Sequence, residues 1–366
     1  MQTTPSKSVL LGDTVALSAA GSCVADGTLA YEWTITSPDS DLADTAQPGL
    51  DAETIEIYPT TAGEYTVTLV ISDGLGNSAA RETVAFAARG WVPLTVDAED
   101  KDADDINDLT VGGGFLWLAT RSAAYRSSLS TLATTPYELV NDVYGGSGLS
   151  TNSRAIYYDD AVQEVWFGGK DEVFKIDLSA EAPDSVAYPV DPGGDVREIV
   201  QGAKGLLVAS QQGVSRALDR MKFVPEITHD AHAVGRVGDS EWAGIKDPSE
   251  ESDSDLYDLT TGETFSFFPD DDKIRSLVEV PGDPAAELWI GTDGDGIIRF
   301  DPVNKTDLDV FTAPDDLPDD KARELFVEPS GAHAGDVWVA TQSGVARYKH
   351  DRQQWLILDM TGAVER

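Results

Sequence analysis

The stretch Glu287–Asp301, ELWIGTDGDGIIRFD, constrains this chain more than any other, because the chain writes it several times over. Leu288-Trp289-Ile290 is a run of large and β-branched residues. The Gly-Thr-Asp-Gly-Asp-Gly that follows can supply the positive φ angles of a turn, and Ile297–Phe300 restarts a strand. A hairpin of this kind cannot bury both faces alone, so a chain that repeats it must stack the copies.

Laying residues from about 90 onward against this unit places Trp117, Trp166, Leu207, Trp242, Trp289 and Trp338 at the centre of one strand in six copies. A turn and a further strand follow, closing near Arg126, Lys175, Arg216, Arg299 and Arg347, while the fourth copy carries Asp247–Asp255 inserted in its turn. Each copy is preceded by an inner strand: Ile106–Val111, Ser153–Tyr158, Val196–Gln201, Ala231–Gly235, Ile274–Glu279 and Ala322–Val327. Outer strands such as Pro136–Val140, Thr264–Phe268 and Trp355–Asp359 complete the set. Four antiparallel strands per copy, at spacings of roughly 35–48 residues, match the blade of a β-propeller. Without a 3.6-residue period, paired-helix solenoids are excluded. The tryptophans are read as blade-packing residues. Six blades are expected, with seven as the alternative, because Gly90–Val96 resembles the outer strand Gln354–Leu358 and either could complete the last blade.

The blades resemble the two-component regulator propeller repeat in their Leu-Trp-Ile-Gly-Thr strand and their Gly-Leu/Val-x-Arg strand. The best matches are Ser147–Gly169 and Asp315–Tyr348, and the resemblance covers about three quarters of the chain. In that family the propeller is an extracytoplasmic sensing domain ahead of a membrane span and a kinase. Neither is read in this chain, so the propeller alone carries over.

Residues 1–88 read differently. Thr14–Leu17, Leu29–Ile35, Thr54–Ile57, Gly63–Ile71 and Arg81–Phe86 are short alternating strands separated by turn residues, as in an antiparallel β-sandwich with Trp33 in its core. The segment Ala62–Ala79, following Tyr31–Ile35, resembles the PKD domain, an immunoglobulin-like module. It departs from the family in having Thr36-Ser37-Pro38-Asp39 where Gly-Asp-Gly often follows the tryptophan strand. The resemblance implies an extracellular or cell-surface spacer or adhesion module. Tyr65 is expected to be a corner tyrosine bonding backbone, and Asp73–Asn77 a hairpin turn rather than a calcium loop. The fold class is thus all-β: a sandwich over 1–88, an acidic linker with one strand over 89–105, and a propeller over 106–366. Asp97–Asp105 carries six Asp/Glu in nine residues and is read as solvated. Its Asp100-Lys101-Asp102-Ala103-Asp104 resembles the start of an EF-hand loop, but Asp105 stands where Gly is needed and Val111 where Glu is needed. No cofactor or metal is therefore expected, Ca²⁺ being kept only as an alternative.

Composition narrows the partners. With 26 Lys+Arg against 65 Asp+Glu the formal charge is −39, a field that repels nucleic-acid phosphates and anionic membranes. A protein, a glycan or a small anion remains. The lone Cys23 rules out an internal disulfide and is expected in the core. No apolar run approaches the roughly 20 residues of a membrane span, and Met1–Pro5 lacks the regions of a signal peptide. An extracellular, cell-surface or periplasmic location is expected, with any leader or anchor outside this sequence.

Catalytic signals are sparse. There is no GxSxG, and the four histidines are His229, His232, His333 and His350. His229 and His232 lack a third zinc ligand. The preferred reading is a non-enzymatic binding protein. The alternative is a propeller lyase acting on an acidic polysaccharide or cyclic peptide, resembling the streptogramin lyases in repeat style, with His232 as general base. The candidate ligand-binding residues come from the repeat register: one residue into the inner strands stand Asn107, Arg154, Arg197, His232, Arg275 and Arg323. Four arginines at one mouth of an acidic chain suggest a carboxylate, sulfate or phosphate ligand. The competing account ties each arginine to an acid such as Asp108, Glu198, Glu324, Asp272 or Asp320.

Overall fold

The computed structural model describes residues 8–23, 28–38, 48–73, 75, 77–78, 82–89, 95–97, 99–132, 136–145, 152–217, 219–246, 254–266, 273–282, 285–331 and 333–358. They fall into two compact units. The first comprises Met1–Pro93, Asp316–Pro318 and Ser330–Arg366, the second Leu94–Asp315 and Asp319–Pro329.

The first unit opens with β1 (Ser8–Leu10), β2 (Val15–Ser18), β3 (Ala30–Thr36), β4 (Thr54–Ile57), β5 (Gly63–Ser72) and β6 (Glu82–Arg89). One sheet has the order β1-β6-β5-β3 and the other pairs β2 with β4. Alternation places Leu17, Trp33, Ile55, Ile57, Tyr65, Val67, Leu69 and Phe86 in one buried cluster. The Trp33 indole donates to the carbonyl of Ala52 at 2.8 Å. As expected of a corner tyrosine, the Tyr65 hydroxyl donates to the Thr61 carbonyl at 2.5 Å, with its ring stacked on Phe86. Asp73 accepts from the amides of Leu75 and Asn77, which makes a turn. Two expectations need correction. The parallel strand β1, too short to show alternation, pairs with the last strand of the sandwich. Cys23 is exposed rather than in the core.

In the second unit the repeat appears as four-stranded antiparallel sheets. The first contains β7 (Ile106–Gly112), β8 (Phe115–Thr120), β9 (Ala124–Ser128) and the two-residue β10 (Glu138–Leu139). The expected outer strand over 136–140 stops early because the chain turns into the helix α1 (Val140–Tyr144), which buries Val140 and Tyr144 one turn apart against Trp117. The second sheet contains β11 (Ala155–Asp159), β12 (Glu164–Gly168), β13 (Glu172–Asp177) and β14 (Ser185–Pro189). The third contains β15 (Val196–Gly202), β16 (Gly205–Ser210), β17 (Gly213–Ala217) and β18 (Phe223–Ile227). The fourth contains β19 (Ala231–Val237), β20 (Ser240–Lys246), β21 (Ser254–Asp258) and β22 (Thr264–Phe265). The fifth contains β23 (Ile274–Val280), β24 (Glu287–Thr292), β25 (Ile297–Asp301) and β26 (Thr306–Phe311). β27 (Ala322–Val327) follows in the same unit. The first strands lie side by side in chain order, β7 against β11, then β15, β19, β23 and β27. Residues 247–253 and 90–94 lie outside the described residues; Asp255, read as part of the fourth turn's insertion, pairs with Ile245 inside β21.

In the fifth sheet's turn Gly296 has φ +73°, and a Cβ there would meet the Phe311 carbonyl at 2.0 Å, which is why the repeat carries glycine at this point. Trp117, Trp166, Trp242 and Trp289 are fully buried. Trp117 meets Phe167 of the next sheet edge-on, as Trp166 meets Phe223 and Trp242 meets Phe300. Leu207, at the third sheet's equivalent position, is also fully buried. The acidic segment before β7 is not merely solvated: Val96 and Ala103 are buried beneath Leu118 and Tyr125. Its acids bond backbone, Asp104 accepting from Val96 N and Asp100 from Asp102 N.

The first unit closes with β28 (Val337–Thr341), β29 (Val345–Lys349) and β30 (Gln354–Leu358), antiparallel in that order. Leu356 and Leu358 bury against Tyr58, while Trp338 is half-buried under the guanidinium of Arg347. That guanidinium donates to the Gly12 carbonyl at 2.8 Å and to Asp336.

Candidate functional site

Four of the six residues singled out by register sit where the first strand of their sheet departs from regular pairing. The ladder skips a residue between Ile106 and Asp108, Val196 and Glu198, Ala231 and Ala233, and Ile274 and Ser276. Asn107, Arg197, His232 and Arg275 are therefore bulge residues without a partner on the second strand. A bulge re-aims the side chain it carries. Arg154 stands one residue before β11, not inside it, and Arg323 is the second residue of β27.

A cavity of about 300 Å³ is lined by Asn107, Arg154, Arg197 and Arg275 together with Asp108, Glu198 and Glu324. Four of the six candidates thus share one space, whereas His232 and Arg323 are not among its lining residues. The guanidiniums are anchored by acids other than those anticipated. Arg154 reaches Asp195 at 3.5 Å, Arg197 reaches Asp230 at 2.5 Å, and Arg275 bonds Asp293. Asp195 and Asp230 stand two residues before Arg197 and His232, so each arginine leans onto the lead-in of the next sheet. Asn107 follows the same rule, donating to Asn152 at 3.3 Å and to the Ser153 carbonyl at 2.8 Å. The rule breaks where the lead-in residue becomes Lys273 or Lys321, two cations the sequence reading missed although they occupy the same register. Lys273 and Lys321 both meet Asp293 through the backbone, next to Arg275. Among the described residues, Lys273, Lys321 and Arg323 form no ion pair.

The acids read as arginine partners do something else. Asp108 accepts from Ile156 N at 2.7 Å, Glu198 from Val234 N at 2.6 Å, and Ser276, at the same position of the fifth sheet, from Leu325 N at 3.2 Å. Each reaches across to an edge amide of the next first strand. Glu324 accepts from the Ser276 hydroxyl at 3.2 Å. Asp272 lies outside the described residues, and Asp320 accepts from Ala313 N. Asp108 and Glu198 are half-buried and Glu324 opens onto the cavity, yet protein surrounds all three beyond it. Burial pushes the Asp108 carboxyl up to about 7. Burial, and then the charge of Asp108, push Glu324 up to about 8, while burial and both neighbours raise Glu198 well above the usual carboxylate range.

His232 is buried with its ring nitrogens 2.8 and 3.1 Å from an Arg197 Nη1. Burial, then Arg197, Arg275, Lys273 and Lys246, pull its pKa down to about 3. An imidazole that weakly basic, pressed on a guanidinium, is poorly suited to take a proton from substrate near neutral pH.

Residues 1–86 match the PKD domain family. No curated protein sequence matches the chain. Among solved structures, the chain is similar to an extracellular domain from B. thetaiotaomicron whose name assigns it to a one-component system, with 14% identity, a TM-score of 0.53, and coverage of 76% of this chain and 36% of that one. A second structure of that extracellular domain, named for a hybrid two-component system, gives a TM-score of 0.52 at the same identity and coverage. The chain therefore spans about a third of the length of the solved structures it matches. No helix among the described residues is long and apolar enough to cross a membrane. The chain thus carries a match to the PKD domain over residues 1–86 and shares a fold with these extracellular domains over about three quarters of its length.

Proposed function

We propose that this is a non-enzymatic recognition protein of the extracellular, cell-surface or periplasmic space. Its sheets are arranged as a six-bladed β-propeller in a chain that also carries a PKD module, and the cavity among their first strands receives a carboxylate, sulfate or phosphate group of the ligand. The observation that carries this reading is the gathering of Arg154, Arg197 and Arg275 on one cavity in a chain of formal charge −39. Arg323, Lys273 and Lys321 extend the cationic set beside Arg275. Guanidinium forks match such oxyanions with paired hydrogen bonds, each worth roughly 1.5–3 kcal/mol. The acids Asp195, Asp230 and Asp293 hold the forks in place without filling the space between them. The propeller reading is supported by the serial stacking of first strands, and the extracytoplasmic location by the likeness to the B. thetaiotaomicron extracellular domains. Differential scanning fluorimetry tests it: sulfate should raise the melting temperature of the wild type, and the R275A/R323A double variant should keep its circular dichroism spectrum but lose that rise. An undiminished rise in the double variant removes the anion site from this cavity.

A further inference from the structure

We propose that the cavity takes up its anion together with protons, which Asp108, Glu198 and Glu324 receive, so that acidity sets how strongly the protein responds. This rests on the anion reading above. The geometry is a count of charges around one space. Arg154, Arg197 and Arg275 face the cavity, and so do the three carboxyl groups, one from each of β7, β15 and β27. Each guanidinium is already matched by an acid behind it, Asp195, Asp230 or Asp293. With all three cavity acids ionised, an arriving sulfate would meet three negative charges gathered around a space of about 300 Å³.

The other groups around the space cannot absorb that charge. From β11, the Tyr157 phenol is pushed up to about 12 by burial and stays neutral. From β19, His232 stays neutral because its pKa is about 3, and Arg236 lies on the same strand. From β23, β27 and the residues leading into them come the basic side chains of Lys273, Lys321 and Arg323, while Asn107 and Ser276 carry no ionisable group and Asp293 is held by Arg275. The three acids are the groups left to respond. Their tilt toward the protonated state in the empty cavity follows from burial and mutual proximity, and an added anion pushes the same way. Protonation also converts each from a pure acceptor into an O–H donor that can meet a sulfate oxygen.

Inorganic sulfate is the probe, because its own charge does not change across this range. Isothermal titration at about pH 7.5, in buffers of different ionisation enthalpy, should show uptake of about one proton per sulfate. The Kd should tighten at least about tenfold between pH 8.5 and 5.5. Glu324→Gln, which keeps an acceptor for Ser276, should flatten that pH dependence; Asp108→Asn, which keeps an acceptor for Ile156 N, should do the same. Should a variant fail to fold, proton uptake by the wild type remains an independent reading. Sulfate binding with one Kd at both pH values and no proton uptake overturns the coupling and leaves the anion site standing. Absence of sulfate binding at either pH overturns both.

Discussion

Buried aromatic side chains and the acids lining the cavity affect this protein in opposite ways, and both can be tested one residue at a time. Trp289 is fully buried, its indole donating to Glu287 at 2.9 Å, so Trp289→Ala should cost about 3–5 kcal/mol in chemical denaturation while leaving sulfate affinity of the folded fraction unchanged. The tryptophan role is legible in the sequence because a residue repeated at mid-strand in every copy must face the neighbouring copy. The acids are not legible, since whether a carboxylate is desolvated depends on which strand lies beside it. Asp108 and Glu324 have native pKa values near 7 and 8 against ordinary values of 3.8 and 4.5. The native state therefore holds the extra protons, and the stability they confer is lost as pH rises through 7 and 8. His232 has the opposite shift and costs stability only as pH falls below its ordinary 6.5. Between about pH 6.5 and 8.5 the acids act alone, so the melting temperature should fall across that window, and fall less in Glu324→Gln. A flat profile in the wild type would show that these acids are ionised throughout.

Among the elements, first strands carry the site because bulges in β7, β15, β19 and β23 each free one side chain from the ladder. The register of those side chains is legible; their partners are not, because those of Asn107, Arg154 and Arg197 lie on the lead-in of the following sheet and that of Arg275 lies in the turn after β24. The recurring cation on the third strand has a more local reason. Arg126, Lys175, Arg299 and Arg347 stand directly opposite Trp117, Trp166, Trp289 and Trp338, within 4.7 to 5.9 Å of the ring centroids. In the fourth sheet Asp258 takes that place opposite Trp242, and Lys305 supplies the charge at 3.3 Å. Docking of one first strand on the next rests on the caps Asp108, Glu198 and Ser276. Removing one leaves an edge amide without its acceptor: Ser276→Ala should destabilise by about 1–2 kcal/mol, and hydrogen exchange at Leu325 should quicken more than at Leu277. Equal protection at both amides would mean that the hydroxyl does not hold β27.

For the molecule as a whole, the charge of −39 is a self-repulsion that salt screens, so the melting temperature should climb from low to moderate sodium chloride. A flat response would show that the acids are already neutralised in pairs. Arg347 is 2% exposed between Asp336, Trp338 and the Gly12 carbonyl. Arg347→Ala should therefore cost about 3–5 kcal/mol, with exchange rising in β2, β4 and β28–β30 together. Its bond to Gly12 spans 335 positions of sequence. Tyr58 against Leu356 and Leu358, and Arg352 against Glu56, fasten the same two stretches. The stretch from Gly12 to Tyr58 is thus buckled to the stretch from Arg347 to Leu358. A protease that cuts the chain once between β23 and β24 should give two bands under denaturing conditions but one particle on a sizing column, because the severed halves remain clasped by a unit that neither half can build alone.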